Sequence, residues 1–313
     1  LKRHPMTNIK GSKSLITESH TIPASFTIGF LGAGQLAKMS AIEAYRLGIQ
    51  VAAYTDRNSH EPMHYMSPMV TTGSFEDVKA MTEFAQKCDV LTLENEFIDS
   101  SVLEQVQLNS GTPIYPSPEG FAKIENKIVE KQCFEEAGIP VTPYKQIHDR
   151  EDLKDFGNQY GWPFVLKSSK GGYDGYGNAT VSDLNEAADI FTKLGGQNGH
   201  DILAEAFIDF SHELAVQVAH NGREYSVYEC CETVQSKHIC VAVITPARVP
   251  DSIKKLVQKR ALQAMEVLGT RGIVAFEFFY TPNGDILLNE SAPRPHNSGH
   301  YSIEGCVTSQ FEN

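Results

Sequence analysis

The chain has 313 residues, 41% of them hydrophobic and 21% charged, with 27 Lys and Arg against 39 Asp and Glu. That length suits about two domains, and the apolar share excludes wholesale disorder. A formal net charge of -12 argues against non-specific nucleic-acid binding, which needs surplus cations facing phosphates. No apolar run approaches the about 18 residues of a membrane helix, so no membrane partner is expected.

Residues 1–25 carry Lys2, Arg3, Lys10 and Lys13 against the single acid Glu18. They are expected to be a disordered extension or the remnant of an organelle-targeting peptide, which is basic, hydroxyl-rich and poor in acids. From Phe26 the pattern becomes regular. An apolar strand over 26–31 runs into Gly32-Ala33-Gly34, then a helix through Leu36, Met39 and Leu47 that stops at Gly48. A second strand covers 49–54. Ser74, with Asp77 three residues on, opens a helix whose Val78, Met81, Phe84 and Ala85 recur at helical spacing. A third strand covers 90–93. Strand and helix alternate, which predicts a parallel sheet with its loops at the carboxyl ends of the strands.

The Pro-rich run 113–118 marks a joint, and 123–137 reads as a helix ended by Gly138-Ile139-Pro140. From Trp162 the texture changes to strands joined by tight turns, with one helix over 183–194. Segments 213–220 and 223–229 flank Asn221-Gly222, a strong hairpin signal. A long helix presents Ile253, Leu256, Val257, Ala261, Ala264 and Leu268 on one face and ends before Gly269. A last hairpin, 273–280 with 286–290, turns at Asn283-Gly284. The six cysteines form no C-x-x-C pair, which reads as reduced thiols in a cytosol-like compartment. The plan is α/β followed by α+β.

Gly32-Ala33-Gly34-Gln35-Leu36-Ala37 fits the dinucleotide glycine pattern, and Asp56 stands where such a fold places its ribose-binding acid. Its physical content is a phosphate site at a helix N-terminus, and the phosphate could belong to a nicotinamide cofactor or to a substrate. Glu94-Asn95-Glu96 follows the third strand at the ligand-binding face, or is a solvated loop. The run Gly171-Gly172-Tyr173-Asp174-Gly175-Tyr176-Gly177 puts four glycines in seven residues, a mobile hairpin whose amides can approach phosphate oxygens. Lys167 could supply a fixed cation beneath it; the alternative is an ordinary turn with a surface lysine. Glu205, Ala206, Phe207 and Ile208, with Glu213, could meet a base and ribose or be a strand with exposed acids.

The last hairpin is the most informative. A turn centred between Asn283 and Gly284 pairs Glu277 directly with Glu290, their Cβ atoms about 5 Å apart in strands otherwise built from Phe, Ile and Leu. Like charges so placed destabilise the hairpin unless a hard divalent cation such as Mg2+ joins them. Asn289 adds an oxygen ligand; a bulge that turns one glutamate to water is the alternative. Beyond them, Arg294 offers a planar donor fork for an oxyanion such as bicarbonate or phosphate, with His296 and Asn297 beside it.

Taken together, the Gly-x-Gly-Gln-Leu start, Lys127-x-x-x-Lys131 before Gly138-Ile139-Pro140, the Gly-Gly-Tyr-Asp-Gly lid and Asn289-Glu-x-Ala-Pro-Arg-x-His-Asn-Ser-Gly-His300 resemble the N5-carboxyaminoimidazole ribonucleotide synthetases of purine biosynthesis. Residues 245–252 and 293–311 look closest to the synthetase half of the bifunctional phosphoribosylaminoimidazole carboxylases of fungi and plants. The resemblance implies an ATP-grasp fold behind a Rossmann-like pre-ATP-grasp domain, and a carbon-nitrogen ligase using ATP and Mg2+. The expected division is 1–25 extension, 26–118 pre-ATP-grasp domain, 119–208 linker helix and lid subdomain, and 209–313 C-terminal subdomain.

In that likeness Lys127 and Lys167 hold ATP phosphates under the lid formed by Gly171, Gly172, Tyr173, Asp174, Gly175 and Gly177. Glu205, Ala206, Phe207 and Ile208 meet the adenine, Glu213 the ribose, and Glu277 and Glu290 the Mg2+ ion, with Asn289 beside them. Arg294, His296 and Asn297 hold bicarbonate and carboxyphosphate. Gly34, Gln35, Leu36, Glu96, Tyr173, Asp174 and Tyr176 position aminoimidazole ribonucleotide, with its phosphate at the first glycine loop. A homodimer, a cytoplasmic (or plastid) setting and a fused or separate carboxyaminoimidazole ribonucleotide mutase are also implied. Two departures stand out. Tyr176 occupies a usually basic lid position. The chain stops at Asn313 where the family continues into a segment with basic residues for the substrate phosphate, so a fragment is expected. A non-catalytic nucleotide-binding or scaffold protein and a nicotinamide oxidoreductase are the competing readings; the latter leaves the lid, Lys167 and the paired glutamates without a role.

Overall fold

Residues 25–56, 60–171, 177–236 and 239–313 are described by the structure, a computed structural model. The expected extension and lid residues Gly172, Tyr173, Asp174, Gly175 and Tyr176 therefore lie outside the described residues, apart from Ser25.

The first apolar runs become β1 (Thr27–Leu31), β2 (Gln50–Thr55), β3 (Val70–Thr72), β4 (Val90–Leu93) and β5 (Ile114–Tyr115), a parallel sheet of order β3-β2-β1-β4-β5. Its connecting helices are α1 (Gln35–Arg46), α2 (Val78–Ala85) and α3 (Ser100–Ser110). Strand order reverses between β1 and β4, and there an open parallel sheet forms its ligand crevice. The second helix starts three residues later than Ser74 suggests, because Asp77 is its cap and accepts the Ala80 N–H at 3.0 Å. β3, β5 and α3 were not legible in the sequence: two are very short strands and the third is weakly amphipathic.

The joint holds α4 (Pro118–Ala122) and α5 (Lys127–Glu136) rather than one helix over 123–137. The break falls at Asn126, whose side chain accepts the Ile128 N–H at 2.9 Å and so restarts the helix. Lys127 thereby becomes the first helical residue, its own N–H bonded to the Ser169 carbonyl. A four-stranded antiparallel sheet follows, order β6-β9-β7-β8, from β6 (Tyr144–Ile147), β7 (Phe164–Ser168), β8 (Asn178–Val181) and β9 (Ile202–Ala206). With α6 (Arg150–Tyr160), which the sequence reading did not find, and α7 (Leu184–Lys193), it encloses a separate core around Phe156, Phe164 and Phe191.

The third sheet comprises β10 (His212–His220), β11 (Tyr225–Val227), β12 (Cys231–Ser236), β13 (Ile239–Ile244), β14 (Gly272–Tyr280) and β15 (Ile286–Ala292), with β15 at one edge. Period-two alternation divides its faces. Leu214, Val216, Val218, Phe276, Phe278 and Leu288 join Val257, Ala261 and Leu268 of α8 (Asp251–Leu268) and Phe134 of α5 in the main core. Each fully buried side chain of this kind contributes about 1.5–3 kcal/mol. The other face carries Glu213 and Glu277 toward the second sheet, and Gln217 toward Ser298. Among the described residues no helix is long and apolar enough to cross a membrane.

The Glu277–Glu290 pairing forms, but by another route than an ideal turn. The hairpin closes through a three-residue loop, Pro282-Asn283-Gly284, in which Gly284 takes a positive φ of 92° and donates to the Thr281 carbonyl. Tyr280 accordingly pairs with Ile286, Phe279 with Leu287 and Phe278 with Leu288, one residue out from a two-residue turn. A bulge at Asn289 then restores the register, and Glu277 faces Glu290.

Candidate functional site

Two cavities meet at the loop after β15. The first, about 310 Å³, opens at the strand-order reversal and is lined by Gly34, Leu36, Asp56, Glu61, Glu94, Glu96 and Arg294. The second, about 510 Å³, lies between the second and third sheets and is lined by Lys127, Lys167, Glu205, Ala206, Phe207, Ile208, Glu213, Glu277, Asn289 and Glu290. His296 and Asn297 line both. Gly177 borders the second cavity; Gly171, at a positive φ of 74°, is the last described residue before the lid.

In the first cavity, the glycine loop is met by a side chain of the chain itself. A Cβ on Gly32 or Gly34 would stand 2.5 or 2.6 Å from a Glu94 carboxylate oxygen. Burial pushes Glu94 upward, opposed by hydrogen bonds from Asn95 and the Leu36 backbone and by Arg294. The helix N-terminus expected to take a substrate phosphate thus already holds a carboxylate. Adjacent loops after β1 and β4 make this contact, so it follows from strand order and not from sequence distance. Arg294 Nε pairs with Glu96 at 2.8 Å, joining the two predicted clusters.

In the second cavity, Lys127 Nζ reaches Glu290 at 3.1 Å. Burial and then Glu290 push Glu277 upward, whereas Lys127 chiefly holds Glu290 down. Burial, Glu277 and Glu290 push Glu213 up to about 7. Glu277 Oε1 is buried without a hydrogen-bond partner, with His296 Nδ1 3.6 Å away, so this carboxylate oxygen lacks a direct donor. A hard divalent cation with oxygen donors fits that deficit. Among the described residues no cluster of three or more His, Cys, Asp or Glu has metal-site geometry, so water or ligand oxygens would have to complete the shell.

Glu205 lines the second cavity and has partners that the sequence did not indicate. Its carboxylate, 4% exposed, is engaged by Lys131 at 2.6 Å and by Lys167. Burial would raise it, but the two lysines hold it down to about 2. It thereby links Lys131 to Lys167, and it shares the cavity wall with Ala206, Phe207 and Ile208.

Sequence reading missed Glu130, Gln217 and Gln310, and noted Lys131 in a motif without giving it a role. Lys131, 2% exposed, also donates to Thr142 Oγ1 at 2.6 Å and to the Asn289 carbonyl at 3.1 Å. The available signal was Lys127-x-x-Glu130-Lys131, three charges on one face of a helix that also has to pack. Gln310, 1% exposed, accepts the His296 N–H at 3.0 Å and donates to the His296 carbonyl at 2.8 Å. Gln217 donates to Ser298 Oγ at 2.8 Å, and that hydroxyl contacts His296 Nδ1 at 2.9 Å. No local pattern marks either glutamine.

Residues 25–125 match the family model for the ribonucleotide synthetase preATP-grasp domain and 132–311 that for the ATP-grasp domain. The phosphoribosylaminoimidazole carboxylase of Ogataea methanolica is 40% identical over 92% of this chain and 53% of its own length. The N5-carboxyaminoimidazole ribonucleotide synthase of Mycobacterium tuberculosis is 35% identical over 91% and 66%. The chain thus spans about half to two thirds of the curated relatives it matches. Among solved structures, the carboxyaminoimidazole ribonucleotide synthase of Aspergillus clavatus complexed with ATP superposes with a TM-score of 0.84, at 36% identity over 92% of this chain and 75% of that one. The enzyme of that organism in complex with ADP and 5-aminoimidazole ribonucleotide gives 0.82 at 35% identity, over 92% and 75%.

Proposed function

Because the chain belongs to the N5-carboxyaminoimidazole ribonucleotide synthetase branch of the ATP-grasp enzymes, we propose that it carboxylates the amine of 5-aminoimidazole ribonucleotide at the expense of ATP and bicarbonate. The product is N5-carboxyaminoimidazole ribonucleotide, an intermediate of purine synthesis. The observation that carries this reading is the sharing of His296 and Asn297 by the two cavities. A phosphoryl donor in one and an amine acceptor in the other would meet there.

Bicarbonate oxygen attacks the γ-phosphoryl group, ADP leaves, and carboxyphosphate forms; its CO2 is then captured by the amine, with phosphate released. Little covalent chemistry falls to the protein, which positions and neutralises. Lys127 and Lys167 face the phosphates, Lys167 being oriented by Glu205. Glu213 accepts from the ribose hydroxyls, and Ala206, Phe207 and Ile208 meet the base. Glu277, Glu290 and Asn289 would hold Mg2+, which when bound neutralises phosphate charge. Gly171 to Gly177 close over the nucleotide and exclude water from carboxyphosphate. Arg294, His296 and Asn297 hold bicarbonate and carboxyphosphate, Arg294 through the donors its Glu96 pair leaves over.

Gly34, Gln35, Leu36 and Glu96, with Tyr173, Asp174 and Tyr176, hold the aminoimidazole ribonucleotide. Glu94 at the glycine loop favours the sugar or base there and disfavours the phosphate, which is therefore assigned elsewhere. A homodimer in a cytosol-like compartment, working with a fused or separate mutase, completes the proposal. The test is phosphate release from MgATP with and without the ribonucleotide and bicarbonate. Release that needs both supports the synthetase; ATP binding without release under any condition favours a nucleotide-binding protein instead.

A further inference from the structure

β15 is an edge strand, and an edge strand leaves a row of backbone N–H and C=O groups to be satisfied. Here the loop before β6 and the helix α5 supply the partners in sequence. Leu288 N–H donates to the Pro140 carbonyl at 2.8 Å, and Thr142 N–H donates to the Leu288 carbonyl at 3.3 Å. The Asn289 carbonyl takes Lys131, the Glu290 carboxylate takes Lys127, and Glu130 Oε1 accepts both the Ser291 N–H at 2.8 Å and the Ser291 hydroxyl at 2.6 Å. Three consecutive residues of the bulge are thus held by positions i, i+3 and i+4 of one helix face.

The bulge needs holding. The turn's own register would continue from Phe278–Leu288 to Glu277–Asn289, a pairing without like-charge repulsion. A one-residue slip also turns every following side chain to the opposite face. Something must favour the bulged register before any cation arrives. Glu130 is 3% exposed, a buried carboxylate that costs desolvation and would be poor value as a stabilising group. Its two bonds to Ser291 are made in the register that leaves Asn289 bulged out, and a slip of one residue would turn Ser291 to the opposite face.

We infer that Glu130 is a positioning residue whose bonds to Ser291 keep Asn289 bulged and Glu290 opposite Glu277, and so set the affinity of this pair for a divalent cation. The inference rests on the cation reading of Glu277 and Glu290. It is tested in the full chain with Mn2+ alone, followed by water proton relaxation, alongside ATP binding measured in chelator. Glu130→Gln keeps an Oε1 acceptor for both bonds and should bind Mn2+ as wild type does. Glu130→Leu removes the acceptor and should weaken Mn2+ binding by about tenfold or more, with chelator-state ATP affinity unchanged. Should Glu130→Leu fail to fold, Ser291→Ala removes one bond and should weaken Mn2+ by about threefold. Wild-type Mn2+ affinity in Glu130→Leu, or in Ser291→Ala if the former does not fold, overturns the inference alone. A wild-type chain that binds no Mn2+ overturns the cation reading and the inference with it.

Discussion

Lys131→Met removes a cation that ties Glu205 of the second sheet to Asn289 of the third. The lysine is 2% exposed and bonds Glu205, Thr142 and the Asn289 carbonyl. Glu205 is held down to about 2 from an ordinary 4.5. At about 1.4 kcal/mol per pH unit, Lys131 and Lys167 together outweigh the burial of that carboxylate by roughly 3 kcal/mol. Stripping one partner from a buried ion pair costs about 3–5 kcal/mol. Lys167 remains, so the lower end applies. With a urea dependence of about 3 kcal/mol per molar for a chain of this size, the unfolding midpoint should fall by about 1 M. Glu205 titrates lower folded than unfolded. Its contribution is therefore present above pH 4.5 and is lost as pH falls toward 2, and the difference between variant and wild type should close across that window. A double-mutant cycle with Glu205→Gln isolates the pair. An unchanged midpoint, or a deficit that persists undiminished at the acid end of the window, would refute the reasoning.

Three further outcomes are expected. Gly34→Ala places a Cβ 2.6 Å from Glu94 Oε1 without backbone strain, since φ is -80°. It should raise the KM for aminoimidazole ribonucleotide by about tenfold through misplacement alone and leave the KM for ATP; an unchanged ribonucleotide KM removes the substrate from this loop. Gln310→Leu leaves the His296 N–H unpaired, while the His296 carbonyl keeps the Gly299 N–H as donor. It should cost about 1–3 kcal/mol in urea unfolding and lower kcat more than either KM, whereas wild-type kcat would show that the loop needs no clamp. Glu290→Gln should lower substrate-dependent phosphate release by about a hundredfold or more, as should EDTA on the unaltered chain, and full activity in the variant sinks the cation assignment.

The sequence by itself determined whatever short-range chemistry specifies. Alternating strand and helix predicted the parallel sheet, Gly269 the end of α8, and the spacing around Asn283-Gly284 the facing glutamates. The motif from Asn289 to His300 placed the chain in its family. Tertiary structure decided how these pieces meet. The hairpin pairing came out as expected only because two departures cancel: a loop one residue longer than the turn signal implies, and a bulge of one residue at Asn289. Neither is encoded in the turn itself, and the bulge is held by a helix some 160 positions earlier in the chain. Glu94 lies against Gly32 and Gly34 because β4 pairs with β1, and Gln310 reaches His296 because the chain folds back on itself; both depend on contacts that local pattern does not record. Glu205 shows the same limit from the other side. Its residue type was legible, but its partners, Lys131 and Lys167, come from two different elements, and only their convergence in a water-poor junction shows it to hold two lysines.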